Sequence, residues 1–371
     1  MKIIKLFPVL IALFAIHSCF PADEDPVSIP PISGAILEPE VGGANEPNQV
    51  WIKLSDSTKN SFNKRTDWDL AFYSGDEFRV TLNYSVALMV GKIPNATDID
   101  SVTEADISAL KNKVIIDPQN IETEQYIDDP TGNFLTQTTG IAEISANDNE
   151  NPIYLVNMGF DVPTLQPNPG NANTTGSPRG WKKIQILRAP NGYKIKYADA
   201  GSTTHNEFVI TKNPDYNFTF FSMISGETVN IQPKKKNWDM VFTLFLNHSY
   251  DTAGNYVGGT YFYNDYILTN TLDGVGAYYV NIPENSNADE YYNNFKLQDV
   301  DASKFIFNDQ RAIGENWRTV VGANGVSGAF VYSDRFFVIK DSDGFLYKLR
   351  FNKMMNNEGE RGYPQFEYEA L

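Results

Sequence analysis

The side chains that usually carry catalysis or bind metal are scarce in this chain of 371 residues. It has one cysteine, Cys19, and three histidines, His17, His205 and His248. A lone cysteine permits no internal disulfide, so any core must be stable unaided. His205 and His248 are far apart in sequence, and neither has cysteines or carboxylates at metal-ligand spacing around it. Gly-x-Ser-x-Gly, His-Glu-x-x-His and phosphate-cradling glycine loops are all absent, which removes the usual signatures of hydrolases, metalloproteases and nucleotide-binding enzymes. Positive charge is also short. Lys and Arg number 30 against 46 Asp and Glu, for a formal net charge of -16. Such a surface repels phosphate backbones and anionic lipid, which excludes nucleic-acid binding as a natural role.

The one long apolar run lies at the start. Lys2 and Lys5 precede Leu6 to Ile16, a stretch too short to span a bilayer and shaped like the apolar core of a signal peptide. It ends at Ile16-His17-Ser18-Cys19, where a small residue precedes the cysteine as in the lipobox of bacterial lipoproteins. Residues 1–18 therefore read as a lipoprotein signal peptide and Cys19 as the lipidation site. Two or more acyl chains make such an anchor stable. Residues 19–46 are rich in Pro, Gly and acidic side chains, starting with Asp23-Glu24-Asp25. They offer too little apolar surface to offset their ordering entropy and read as a disordered acidic tether. An acidic run just after the lipidated cysteine resembles a surface-export tag, so the expected location is the outer membrane, lipid-anchored and facing the cell surface.

From Val50 onward, short apolar runs rich in Val, Ile, Tyr, Phe and Thr alternate with clusters of Gly, Asn, Asp and Pro. This is the pattern of strands and turns. Asn191-Gly192 and Asp343-Gly344 read as hairpin turns. One helix is expected from Thr103 as N-cap, with Asp106 in the capping-box position. Residues 163–180 and 281–295 read as long loops.

The order of segments repeats. Trp68-Asp69-Leu70-Ala71-Phe72 is matched by Trp238-Asp239-Met240-Val241-Phe242, and each is followed by a segment ending in Asn, at Asn83 and Asn270. Gly192-Tyr193-Lys194-Ile195-Lys196-Tyr197 is matched later by Gly344 to Phe351. The repeat is far longer than the roughly 20–50 residues of a solenoid unit, so it marks a tandem duplication. The expected fold is all-β and mainly antiparallel: two tandem β domains with few short helices, at 47–212 and 213–371.

The second half resembles HmuY, the haem-binding lipoprotein family. The resemblance rests on Phe221 to Asn230, Asn237-Trp238-Asp239-Met240, Asp334 to Lys340, Lys348 to Phe351 and Phe366-Glu367-Tyr368, and the first half echoes it. It implies an all-β domain that holds haem between finger-like loops and hands it to an outer-membrane receptor, in iron acquisition rather than catalysis. It also implies two axial ligands, His with His or Met with Met, between the Trp-Asp strand and the last hairpin. That interval, Val241–Arg350, holds one His, His248, and no Met. Candidate haem-binding residues are therefore His248 and the pairs Tyr278, Tyr279 and Tyr291, Tyr292. If both pairs lie on strands, one member of each faces the core or a cleft. The alternative reading keeps the fold and drops the haem: a surface adhesion or glycan-associated lipoprotein.

Overall fold

A computed structural model describes residues 34–137, 139–251, 253–320 and 328–371. Cys19, the signal-peptide segment and the first part of the expected tether lie outside the described residues.

The first copy supplies β1 (Ala35–Leu37), β2 (Asn48–Ile52), β3 (Ser61–Lys64), β4 (Leu70–Tyr73), β5 (Val80–Leu82) and β6 (Met89–Lys92). After helix α1 (Glu104–Lys111) come β7 (Ile153–Asn157), β8 (Trp181–Ala189), β9 (Gly192–Asp199) and β10 (Asn206–Thr211). The second copy begins with β11 (Phe218–Ser222), β12 (Glu227–Val229), β13 (Met240–Tyr250), β14 (Tyr256–Thr269) and β15 (Gly276–Asn281). Helix α2 (Ala288–Asn294) is followed by β16 (Arg318–Thr319), β17 (Phe330–Val331), β18 (Arg335–Lys340), β19 (Leu346–Met355) and β20 (Arg361–Ala370). Every strand pairing among the described residues is antiparallel. The all-β expectation holds. No helix among the described residues is long and apolar enough to cross a membrane.

Two five-stranded sheets belong mostly to one copy each: β10-β9-β8-β7-β6, and β1-β20-β19-β18-β15. The matched turns sit in matched hairpins. Asn191, at φ 58°, turns β8 into β9, and Gly344, at φ 92°, turns β18 into β19. The expected helix forms where its cap predicts, with the Thr103 N–H donating to Asp106 Oδ2 at 2.7 Å.

The two four-stranded sheets are shared. In β12-β11-β4-β5 the first hairpin of the second copy pairs with the Trp-Asp strand of the first copy. In β14-β13-β2-β3 the reverse happens. Division at 212/213 thus falls in the loop between β10 and β11 but does not separate two self-contained bodies. Each copy lends its opening hairpin to the other.

The Trp-Asp motif holds this exchange. Asp69 N–H donates to Phe221 O at 2.9 Å, while its Oδ2 accepts from Met223 N–H at 2.7 Å. Asp239 repeats the pattern, with its N–H on Ile52 O at 2.7 Å and its Oδ2 taking Leu54 N–H at 2.8 Å. Each carboxylate therefore clamps the backbone just beyond the borrowed strand. The tryptophans pack where the copies meet. Trp51, Trp68, Phe220, Trp238 and Phe245 share one buried cluster with Tyr263 and Tyr266, and Trp51 meets Trp238 edge-on at 4.9 Å.

The tether expectation requires correction at its C-terminal end. Ala35–Leu37 forms β1 on β20, and Val41, Ala44, Asn45 and Glu46 are buried. Glu46, at φ 41°, accepts the Asp265 N–H with both carboxylate oxygens at 3.2 and 3.1 Å. Composition alone could not reveal this order, because the partners come from the far end of the chain. The 163–180 loop is tied down as well: Asn173 N–H reaches Ala44 O at 3.1 Å and Gly170 N–H reaches Gly359 O at 2.8 Å.

Candidate functional site

The interval flagged by the sequence folds into β15, α2 and the turns after it. On β15 the strand period sorts the first tyrosine pair as expected. Tyr278 is buried, with its hydroxyl accepting from Asp301 N–H at 3.1 Å, while Tyr279 is 43% exposed under the Arg335 guanidinium. The second pair departs from expectation. Tyr291 and Tyr292 sit on α2, inside the 281–295 segment that reads as a loop. Asn287 caps this helix by accepting from Glu290 N–H at 3.0 Å. The Asn287-x-x-Glu290 spacing is a start signal that could have disclosed it. Helical geometry places Tyr291 at the surface groove and turns Tyr292 inward, where it is 1% exposed. The Lys348 and Arg350 cations each lie 4.5 Å from the Tyr292 ring. Burial raises its phenol far above the ordinary range. That side chain is core and unsuited to metal ligation.

Two grooves open here. One, of about 610 Å³, is lined by Tyr278 and Tyr291 with Asn287, Glu290, Asn294 and Asp301. The other, of about 280 Å³, runs from Tyr278 and Tyr279 past Lys304 to Asp309 and Arg311. Tyr278 and Lys304 line both. The larger falls within the roughly 300–1,000 Å³ typical of ligand pockets.

His248 lies elsewhere, on β13, with its Nε2 3.7 Å from Glu124 Oε2 of the first copy and its ring against Tyr256. Burial lowers its pKa, and Arg311 adds to the effect against the pull of Glu124. The imidazole is therefore neutral near pH 7, the form that ligates metals. Glu124 also accepts from the Tyr256 hydroxyl at 2.8 Å and the Gly259 N–H at 2.7 Å. One residue bridges the two regions. Arg311 donates to Asn247 Oδ1 and Tyr250 Oη, both at 3.1 Å, from a position that also lines the smaller groove. Sequence reasoning missed Glu124, Tyr256 and Arg311. Glu124 joins His248 across the contact between the copies, Tyr256 comes from the neighbouring strand β14, and Arg311 from a turn far along the second copy, so no short motif gathers them. His205 pairs with Asp100 at 2.8 Å, away from either groove.

The five candidates thus separate into Tyr278, Tyr279 and Tyr291 around the grooves, His248 beside Glu124, and Tyr292 in the core. Among the described residues no three or more His, Cys, Asp or Glu side chains gather as a metal centre requires. An aromatic cavity of about 100 Å³ between the copies is too small for a macrocycle,.

The family model described as HmuY protein matches residues 45–208 and again 215–368, most of the chain. The chain belongs to the HmuY family and carries two tandem copies of its domain. Among solved structures, a "putative lipoprotein" of Bacteroides fragilis aligns at 12% identity over 51% of this chain and 88% of its own, with a TM-score of 0.22. That overlap carries no argument. No curated protein matches the chain.

Proposed function

We propose that the protein is a non-enzymatic binding lipoprotein, anchored through Cys19 to the outer membrane at the cell surface, that captures haem or a related tetrapyrrole for transfer to a receptor. The observation that carries this reading is His248, a half-buried imidazole beside Glu124 and Tyr256 on a strand of the second family copy. Arg311 leads from it toward a groove whose Lys304 suits the carboxylates of a tetrapyrrole, and whose Tyr279 offers an exposed ring for stacking. One imidazole without a second His or Met implies a single strong axial ligand, with the other side left to a tyrosine or water.

Titrating the purified full-length chain with haemin tests this. A saturable Soret shift is expected, and His248→Ala should abolish the shifted band. No shift at micromolar haemin would refute the reading.

One observation favours a second reading, a glycan-associated adhesin. The larger groove sets the Tyr291 ring among Asn287, Asn294, Glu290 and Asp301, a mixture of flat apolar face and amide and carboxylate groups that suits a sugar. A glycan array that lights up with the native chain but not with Tyr291→Ala, alongside a silent haemin titration, would select it.

A further inference from the structure

The two copies are related closely enough that their differences can be read position by position. Because Asp69 bonds Phe221 O as Asp239 bonds Ile52 O, Ile52 stands where Phe221 stands, and Gln49 where Phe218 stands. After each Trp-Asp strand, Asn83 and Asn270 both donate through Nδ2 to the carbonyl of the motif tryptophan, at 2.6 and 3.0 Å. Both start a short 3-10 turn, Tyr84–Val86 in one copy and Thr271–Asp273 in the other. Tyr84 therefore corresponds to Thr271, and Ser85 to Leu272.

In the first copy this arrangement is complete. Trp68 Nε1 donates to Gln49 Oε1 at 2.8 Å, Asn83 Oδ1 accepts from the Ser85 hydroxyl at 2.5 Å, and the Tyr84 ring packs edge-on against Trp68 at 5.8 Å. In the second copy all three partners are missing. Phe218 offers Trp238 no acceptor, Leu272 brings no hydroxyl to Asn270, and Thr271 supplies no ring. The consequence is visible at the atoms. Trp238 Nε1 and Asn270 Oδ1 are buried without a hydrogen-bond partner, as is the neighbouring Gln232 Oε1. All three residues line the cavity of about 100 Å³ between the copies. Buried polar groups left unpaired are costly, and each needs an explanation.

One wall of this cavity is a strap made from both copies, with Pro130, Gly132 and Gln310. Gln310 donates through its N–H to Thr131 O at 2.9 Å and through Nε2 to Pro130 O at 3.0 Å. Gly132, at φ 81°, lies so close that an added Cβ would meet the Gln310 side chain at 2.8 Å.

We infer that the cavity between the copies is a binding site for a one-ring phenol, which takes the place that Tyr84 fills in the first copy and Thr271 leaves open in the second. The ring packs among Trp51, Trp238, Phe218 and Phe245. Its hydroxyl accepts from Trp238 Nε1 and donates to Asn270 Oδ1 or Gln232 Oε1. At about 100 Å³ the cavity is smaller than the apolar cavity of roughly 150 Å³ that accommodates benzene, so nothing larger than a single ring fits, and its walls must give slightly to admit one,. This site is separate from the grooves around Tyr278 and does not depend on haem capture.

Calorimetric titration of the full-length chain with phenol and, separately, toluene tests the assignment. The expected result is one phenol per chain, bound about tenfold more tightly than toluene, as hydrogen bonds to one buried hydroxyl allow. Trp238→Phe keeps the ring but removes the N–H, and should erase most of the preference. Thr271→Tyr should abolish uptake of both compounds by supplying the ring from within, without lowering the urea midpoint. The inference is overturned by the absence of saturable uptake at millimolar phenol, by equal binding of phenol and toluene to the native chain, or by a phenol-soaked crystal showing only ordered water in the cavity.

Discussion

Asp69 and Asp239 occupy the same place in the two copies and bond the borrowed backbone in the same way, yet different cations neutralise them. Asp69 faces Arg179 at 2.9 Å, and that guanidinium's other acidic neighbour is Asp161 at 3.6 Å. Asp239 faces Lys53 at 3.1 Å, and Lys53 also reaches Asp343 at 2.9 Å, Asp341 at 3.7 Å and Ser342 Oγ at 2.8 Å. Burial pushes the Asp239 carboxyl up to about 6 despite Lys53, and it works against the Lys53 charge too, but the surrounding carboxylates keep that amine above its ordinary range. The lesson is a division of labour. The backbone clamp is the invariant part of the motif, and each copy finds its own counter-charge for it.

The sharpest way to break this comparison is Asp69→Ala. It leaves Arg179 buried with one distant, half-exposed acidic neighbour and unpairs the Met223 N–H. A loss of about 3–5 kcal/mol is expected in urea unfolding, as for a buried ion pair stripped of one member. Asp239→Ala should cost less, about 2–3 kcal/mol, because Lys53 retains two carboxylates and the main loss is the Leu54 N–H bond. Equal losses at the two sites would dissolve the distinction.

The N-terminal segment supplies a pH-dependent contrast. Burial, with the Asp265 carboxylate behind it, raises Glu46 to about 8. A carboxyl raised on folding contributes stability that is complete below its unfolded value, near 4.5, and is lost as pH rises through its folded value. The urea midpoint of the native chain should therefore fall between about pH 5 and 9. Glu46→Gln, which can still accept the Asp265 N–H, should flatten that decline, and an unchanged slope would remove Glu46 as its source. The smallest effect concerns the helices. Asn287→Ala should cost about 1 kcal/mol as a lost N-cap, and a larger loss would mean that α2 supports the groove beyond its own stability.

Much of this was legible in the residues. The repeated Trp-Asp strands, the Asn191-Gly192 and Asp343-Gly344 turns and the Thr103 cap all act through neighbours in sequence, so their signals are local. The exchange of β2–β3 and β11–β12 was not legible. A hairpin that pairs with its own copy or with the other presents the same alternation of apolar residues. The same reason hid the order of residues 34–46, whose partners are Asp265 and β20. At the candidate site, strand alternation foresaw that one of Tyr278 and Tyr279 faces inward, while the Asn287 cap that turned Tyr291 and Tyr292 into helical residues was overlooked. Glu124 reaches His248 only across the contact between the copies, and Arg311 comes to the adjacent Asn247 from far along the chain.

That trade bears on how such a chain could arise. A single unit with this architecture would present an uncovered Trp-Asp strand and a spare hairpin, each complementary to the same feature on a second molecule. It would close only as a mutually embracing dimer, at a cost set by concentration. Fusing the two units end to end makes the encounter intramolecular, at an effective concentration on the order of millimolar for a short connection. Once joined, the two units are free to diverge, because neither needs to recognise itself any longer.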